Sequence, residues 1–462
     1  MDHYSHKLRF FSAMLLFIVV FLFFVSCNNQ GSGIIDKKDG TEDTKEPENA
    51  PAPAPAPAPT PTPTPVPEPE PPPILVEMTP QEIFLSFKGQ KAVTYGWADM
   101  ANGGEGLSYA NPAALTLIDD ALYPDPHDKY MAFIKASIPN PSIAASGVIS
   151  GTVNDNPKFI IISGDIDLSG GRINDNDKSF YDQFNPATNN RINADIVLNL
   201  GSNTVLIGIN NARIMFGGIR INNKSNIIIR NITFWDAHGS TEKDTNSSGN
   251  GTSKASIDAL EIRGTSNGVW VDHCLFTNGT CTDMERNYNH DGAFDIPQGV
   301  NITASWNEFT NYDKVMLVAG SDSLTNVLDR RITLHHNYFH YTTQRMPRTR
   351  GTQMHIYNNY YNDIGVPGNT GYAMGPGVNA HFIVEYNYFD YLRSGKVVEY
   401  FDTSANPAIV WSKGNNKTVS RSRFDSSSDK PWEPAYNYKL DSLSQLPTII
   451  PAQAGPKLVF YK

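Results

Sequence analysis

The sequence predicts an all-β chain wound as a right-handed, single-stranded parallel β-helix with a short N-terminal capping helix. From about residue 76 to 462 no second linker interrupts the chain. That span is long for one compact core but ordinary for a solenoid, whose repeats touch only their neighbours. Within it a strand-length pattern recurs as NITASWNEF (301–309), RITLHHNYF (331–339), QMHIYNNYY (353–361) and HFIVEYNYF (381–389). Each segment ends in Asn, one residue, then an aromatic. The asparagines Asn307, Asn337, Asn359 and Asn387 are spaced by 30, 22 and 28 residues. Those intervals are too short for crossovers with full helices, yet strands repeating in one sense are parallel. Stacked rungs satisfy both demands. They place the asparagines one above another, where each amide can bond to the next, and the aromatics in a second column. A β-sandwich is the alternative, but Asn-Gly and Asp-Gly hairpin signals between close strands are few.

The chain opens with Lys7 and Arg9, then the apolar run FFSAMLLFIVVFLFFV (10–25), then Ser26-Cys27. A basic start, an apolar run and a small residue before a cut site make an export signal, placed at residues 1–26. Cys directly after the small residue resembles the lipobox of bacterial lipoproteins. The resemblance implies that Cys27 is lipidated and becomes the new first residue. Phe24, three residues before Cys27, departs from the usual Leu, and the run is only slightly short of a spanning helix, so an uncleaved anchor is the alternative. Either way the chain is exported, to a lipid-anchored position at the cell surface or outer membrane, or secreted.

Residues 27–75 form a tether, including PAPAPAPAPTPTPTPVPEPEPPP. Proline at every second position excludes helix and central strand and favours an extended spacer. Residues 28–73 hold eight acids and three lysines, which is half of the whole-chain net charge of −10. The acidity therefore says little about the domain at 76–462, and nothing in the charge balance points to nucleic acid. Cys274 and Cys281 leave a local disulfide and two separate thiols both open. The capping helix is expected at residues 112–122, ending before Pro124. Looser rungs, NIIIRNITF (226–234) and GVWVDHCLF (268–276), precede the clear ones.

Chemistry concentrates in the second half. Asp258 lies in SIDALEI, and Asp291 and Asp295 lie in DGAFDI. Carboxylates converging from neighbouring rungs suit a hard cation such as calcium, which takes 6–8 oxygens. Read singly, Asp291 before Gly292 is a turn residue. Lys314 lies in NYDKVMLVAG, and Arg345 and Arg350 bracket Pro347 in RMPRTR. Arginines there can bind carboxylates or serve as a plain anion patch. Asp272, in WVDH, reads as a buried structural acid bonded to backbone or His273. His335, His336 and His355 lack a zinc spacing and read as core or ladder residues. Asp283 and Glu285 read as solvated loop.

Taken in order, VWVDH, DGAFDI, VNITASWNEFTNYDKVMLVAGSD, RITLHHNYFHYTTQRMPRTR and MHIYNNYY resemble the pectate lyase/pectin lyase superfamily of parallel β-helix enzymes, specifically pectate lyase family 1. The likeness covers roughly residues 90 to 400. It implies calcium-dependent β-elimination on polygalacturonate, with no nucleic-acid partner and a monomeric chain. It assigns calcium to Asp258, Asp291 and Asp295, substrate carboxylates to Lys314 and Arg350, and proton abstraction to Arg345. Ser256 stands where some members carry a further acid. The reaction removes a proton beside a carboxylate, so cations must first neutralise that charge and a positioned base must then act. An arginine base is unusual, because its pKa exceeds ~12; neighbouring positive charge must make the neutral form reachable, and an alkaline optimum is expected. Two alternatives remain. A pectin lyase acting on methylated polymer would not need the three acids, and a non-catalytic glycan-binding β-helix would not need the basic set.

Overall fold

The computed structural model describes residues 76–145, 147–173, 196–237, 257–279, 290–365, 371–393, 395–419 and 430–462, and the short strand pair Glu242–Lys243 and Ser253–Lys254. The export signal, Cys27 and the tether lie outside these residues, as do Ser256, Cys281, Asp283 and Glu285.

Strands stack in parallel register on three faces. The first face holds Ser225–Arg230, Asn267–Asp272, Val300–Ser305, Arg331–His335, Gln353–Tyr357, His381–Glu385 and Ile409–Lys413. The second holds Thr233–Trp235, Leu275–Thr277, Glu308–Lys314, Tyr338–Gln344, Tyr360–Ile364 and Tyr388–Phe389. The third begins with Val197–Asn199, Gly218–Asn222, Leu260–Arg263 and Phe294–Asp295. A bridge between Ile296 and Val318 carries it on to Leu317–Val318, Arg348–Thr349, Tyr372–Pro376 and Lys396–Val398. The long strand Thr204–Met215 bends across the first and second faces and pairs with both. The predicted parallel β-helix is therefore the observed architecture.

The expected ladder forms where the first face turns into the second. Asn307 donates its backbone N–H and its side-chain amide to Asn337 Oδ1 at 3.0 and 3.1 Å. Asn337 repeats this on Asn359, and Asn359 on Asn387. The other amide hydrogen of each reaches a carbonyl of the rung behind, such as Val271 or Ala304. One residue before each Asn the backbone is left-handed, at Trp306, His336, Asn358 and Tyr386. Such a φ is uncommon outside glycine, and here it makes the bend that the ladder then holds. Asn415 adds a further step, bonded to Asn387. At the other end Cys274 occupies the ladder position. Its N–H bonds to Asn307 Oδ1 at 2.9 Å and its thiol is fully buried, which makes it a small core residue. Inside, Phe234, Phe276, Phe309, Phe339, Tyr361 and Phe389 stack with centroids 4.6–5.0 Å apart and planes tilted by at most 15°.

The helix expected at residues 112–122 is not there. Leu115–Ile118 is instead a strand, paired in parallel with Phe159–Ile162. Burying LTLI against FIII as an added rung outweighs a weak helical preference. The end of the stack is covered by α2 (Pro126–Ser137), whose Tyr130, Phe133 and Ile134 join the interior cluster with Ile118 and Ile160. Helix α1 (Pro80–Phe87) starts at a Thr79–Glu82 capping box and packs Ile83 and Phe84 on the outer side of the first face, against Phe159, Val205, Ile228 and Trp270. Helix α3 (Leu446–Gln453) packs Leu446 and Ile450 beside Tyr360. No described helix is long and apolar enough to cross a membrane.

Candidate active site

The acids and bases singled out from the sequence meet along one edge, where the second face turns into the third. Asp258 precedes Leu260–Arg263, and Asp291 and Asp295 lie one rung on. Lys314 follows on the next rung, bridged in parallel to Gly292. Lys314 pairs in turn with Gln344, so Arg345 and Arg350 belong to the rung after. Rungs repeat every ~4.8 Å, and six residues spread over 93 positions of sequence share one short row.

Gly292 organises the acids. Its N–H donates to Asp258 Oδ1 at 2.8 Å. A Cβ at Gly292 would sit within 2.6 Å of both Asp258 Oδ1 and Asp295 Oδ1, so the two carboxylates border one small space that only glycine leaves open. Asp295 Oδ1 also accepts the Leu317 N–H at 2.8 Å. Burial, reinforced by Asp295, Asp291 and Glu261, pushes Asp258 well above the usual carboxylate range. Burial likewise pushes Asp295 up to about 7, with Asp291 adding to the effect and the Leu317 amide, Arg345 and Lys314 opposing it. Both acids therefore want a proton or a cation. Asp291 is engaged differently, by Lys314 Nζ at 2.6 Å. The expected trio is thus a close pair plus an ion pair. Among the described residues no three acidic, imidazole or thiol groups gather closely enough to form a ready-made metal cage.

The basic side of the row is partly tied down. Arg350 pairs through Nε with Asp322, and its Nη1 donates to Ala319 O at 3.0 Å. Arg348 lies 4.0 Å over the Phe401 ring. Arg345 has a left-handed backbone (φ 65), and its carbonyl accepts the Met316 N–H at 2.7 Å. Its Nε is buried without a partner, as are Arg348 Nε and Tyr372 Oη. Tyr372 is raised by burial and pulled back by Arg348 and Arg345, so its hydroxyl feels both guanidiniums without a well-aligned bond to either. A cavity of about 650 Å³ lies elsewhere, between Met78, Ile83, Asn231 and Leu458.

The conspicuous Asp272 belongs to the first face. Burial opposes its charge, but Arg230 at 2.8 Å and His273 at 2.8 Å hold it below the usual carboxylate range. Ser305 donates to its other oxygen and accepts from Trp270 Nε1. His335 and His336 are pushed down to about 3, by burial first, and stay neutral at pH 7. His335 bonds to Thr94 O, and His355 lies between Tyr436 and Glu385. All read as structural, as expected. Sequence reasoning missed Asp322, in GSD just beyond Lys314, and the Arg220–Glu261–Arg263 group, which the alternation in LEIR (260–263) would have revealed.

Fold and site together define a parallel β-helix with acids and bases in one row along its edge. The family model described as Pectate lyase matches residues 92–451, and the chain belongs to that family. It is 31% identical over 283 residues to a pectate lyase of Bacillus subtilis (strain 168), covering 57% of this chain and 66% of that protein. It is 38% identical over 175 residues to a pectate trisaccharide-lyase of Thermotoga maritima, covering 36% and 43%. These matches span less than two thirds of those relatives' own length. Among solved structures, a pectate lyase of Acidovorax avenae subsp citrulli superposes with TM-score 0.61 at 20% identity, over 81% of this chain and 98% of that one. A pectate lyase bound to hexasaccharide does so with TM-score 0.59 at 23% identity, over 80% and 98%. At these identities the likeness is one of fold.

Proposed function

We propose that the chain is a pectate lyase that cleaves polygalacturonate by β-elimination, leaving an unsaturated sugar at the new end. The observation that carries this is the convergence of a buried, electrostatically uncompensated acid pair with Lys314, Arg345 and Arg350 on consecutive rungs. A hydrolase would need an acid and a base carboxylate, not three cations.

The acid pair fits calcium. It offers hard oxygen donors, its carboxyls are raised by burial first and then by neighbouring acids, and the missing Cβ at Gly292 leaves the space between them clear. Asp258 and Asp295 would hold the ion, joined by Asp291 on release from Lys314. When bound, calcium would neutralise the substrate carboxylate and so acidify the adjacent C–H. Lys314 and Arg350 bind uronate carboxylates and orient the sugar. Arg345 takes the proton beside the carboxylate; the electron pair of that C–H bond forms the C=C bond of the unsaturated sugar as the C–O bond breaks, and the departing glycosidic oxygen takes a proton from water. Asp322 and Ala319 O hold Arg350 in place. The chain is proposed to act outside the cytoplasm as a monomer, held at a membrane through lipidated Cys27 and the proline-rich tether.

The test is to incubate the protein with polygalacturonate, with calcium or with a chelator, and to follow unsaturated-sugar absorbance. A chelator-sensitive rise is expected. No rise on polygalacturonate or methylated pectin removes the lyase reading, and reducing ends without absorbance indicate hydrolysis.

A further inference from the structure

The third face carries a second cationic group on the rung before Asp295, as Lys314 lies on the rung after it. Register places Arg220, Glu261 and Asp295 in one outward row across three successive rungs. Glu261 is held from both sides, by Arg220 Nε at 2.5 Å on Oε2 and by Arg263 Nη2 at 2.6 Å on Oε1. Its side chain is only 8% exposed, while that of Arg263 is 43% exposed. One guanidinium neutralises one carboxylate, so the pairing with Arg220 already satisfies Glu261. The second arginine leaves the group with a net positive charge, and a guanidinium has five N–H donors to place. Arg263 also borders a cleft of about 410 Å³ whose other polar lining is Asn222, Gln298 and Ser321. A buried acid holding an exposed arginine at the lip of a cleft is a prepared anion site.

We propose that Arg263, braced by Glu261 and backed by Arg220, is a distal subsite that grips a uronate carboxylate of long substrate chains at the Asp258 end of the row. This rests on the polygalacturonate reading above. A polymer laid along the row then meets cations on the rungs before and after Asp295, so its register on the enzyme is set from two ends. A short oligomer spanning only Asp295 and the RMPRTR arginines stops short of the Arg263 rung. The subsite therefore governs binding of long chains, not the elimination step.

The test uses the full-length protein, Arg263→Gln and Arg263→Lys, with hexagalacturonate and trigalacturonate titrated calorimetrically and polygalacturonate as the assay substrate. Loss of one charge-assisted contact predicts about ten-fold weaker hexagalacturonate binding and a KM for polygalacturonate raised by a similar factor in Arg263→Gln. Turnover number and trigalacturonate binding should stay within about two-fold. Arg263→Lys keeps the charge and should stay within about three-fold of the parent for hexagalacturonate. Unchanged hexagalacturonate affinity in Arg263→Gln, or an equal loss for both oligomers, overturns the subsite. An equal loss in Arg263→Lys overturns its basis in charge, and decides the matter even if the Gln variant does not fold. Absence of elimination by the parent protein would instead sink the lyase reading, while the titrations still decide whether Arg263 binds uronate.

Discussion

Asp295→Asn separates the cost of the acid pair from its use. In the parent chain Asp295 is buried and pushed up to about 7 from an ordinary 3.8. An acid with a raised folded pKa holds its proton more tightly folded than unfolded. Stability from that preference is complete below pH 3.8 and is lost as pH climbs toward 7, where the metal-free fold must carry the charge. At ~1.36 kcal/mol per pH unit the interval amounts to about 4 kcal/mol. Asparagine retains an Oδ1 for the Leu317 N–H, now 2.8 Å away, and carries no charge. Urea unfolding midpoints from pH 4 to 9, in chelator and in calcium, test this. In chelator at pH 8 the variant should be more stable than the parent by up to about 4 kcal/mol, and at pH 4 the two should converge. Calcium at a hundred times its dissociation constant should stabilise the parent by about 2.7 kcal/mol and the variant far less. A variant less stable than the parent at pH 8 in chelator, or equally responsive to calcium, would refute the account of Asp258 and Asp295 as a cation-hungry pair.

Three further outcomes are expected. Asn337→Ala strands the Asn307 N–H and removes a donor from Ala304 O inside the stack, costing about 2–5 kcal/mol in urea melts. Asn415→Ala, at the half-exposed end of the ladder, should cost about 1 kcal/mol, and equal losses would deny the ladder its buried role. Arg345→Ala and Arg345→Lys should lower the turnover number about 10²–10⁴-fold with little change in KM, and the parent rate should rise into the alkaline range; near-normal turnover would take the proton-abstracting role from Arg345. Mass spectrometry of the mature protein should find a diacylated Cys27 at its N-terminus, and Cys27→Ser should release the protein from membranes; an unmodified N-terminus upstream of Cys27 would contradict the anchor.

The fold was legible because a solenoid states the same requirement once per rung. Asn-x-aromatic repeats where the backbone must bend left-handed and the next column must stack, so four copies were enough to reveal it. Asn415 escaped because NNK (415–417) lacks the aromatic that marks the others. The helices were less legible, although Thr79-Pro80-Gln81-Glu82 is a capping box with proline at N1 and Asp125-Pro126 is a cap followed by proline. The stretch at 112–122 drew attention instead, and whether LTLI is helix or strand is decided by Phe159–Ile162 some forty residues away. The residues of the site were legible one by one. Their engagement was not: Lys314 bound to Asp291, and Arg350 to Asp322, are contacts between rungs whose loops differ in length. The sequence placed His335, His336 and His355 in the core or ladder but not their partners Thr94, Tyr436 and Asp441, which lie up to 241 residues away.

Two buried carboxylates in this chain are compensated very differently. Asp272 is wholly enclosed and has Arg230, His273 and Ser305 around it, so its charge is balanced within the fold. Asp295 is buried too, yet Asp258 borders the same small space, Asp291 adds to the repulsion, and its direct hydrogen bond comes from the neutral Leu317 amide. A fold under selection for stability alone would supply an arginine there too, and one is close by: Arg263, a rung away, is spent on Glu261, which Arg220 already neutralises. The charge deficit at the acid pair and the charge excess beside it are thus complementary faults along one row. On the function proposed above, each would be relieved by the same object, a cation with a polyanionic chain laid across it. The long hydrophobic stack can carry the few kcal/mol of unrelieved repulsion, because its core is built from many independent rungs.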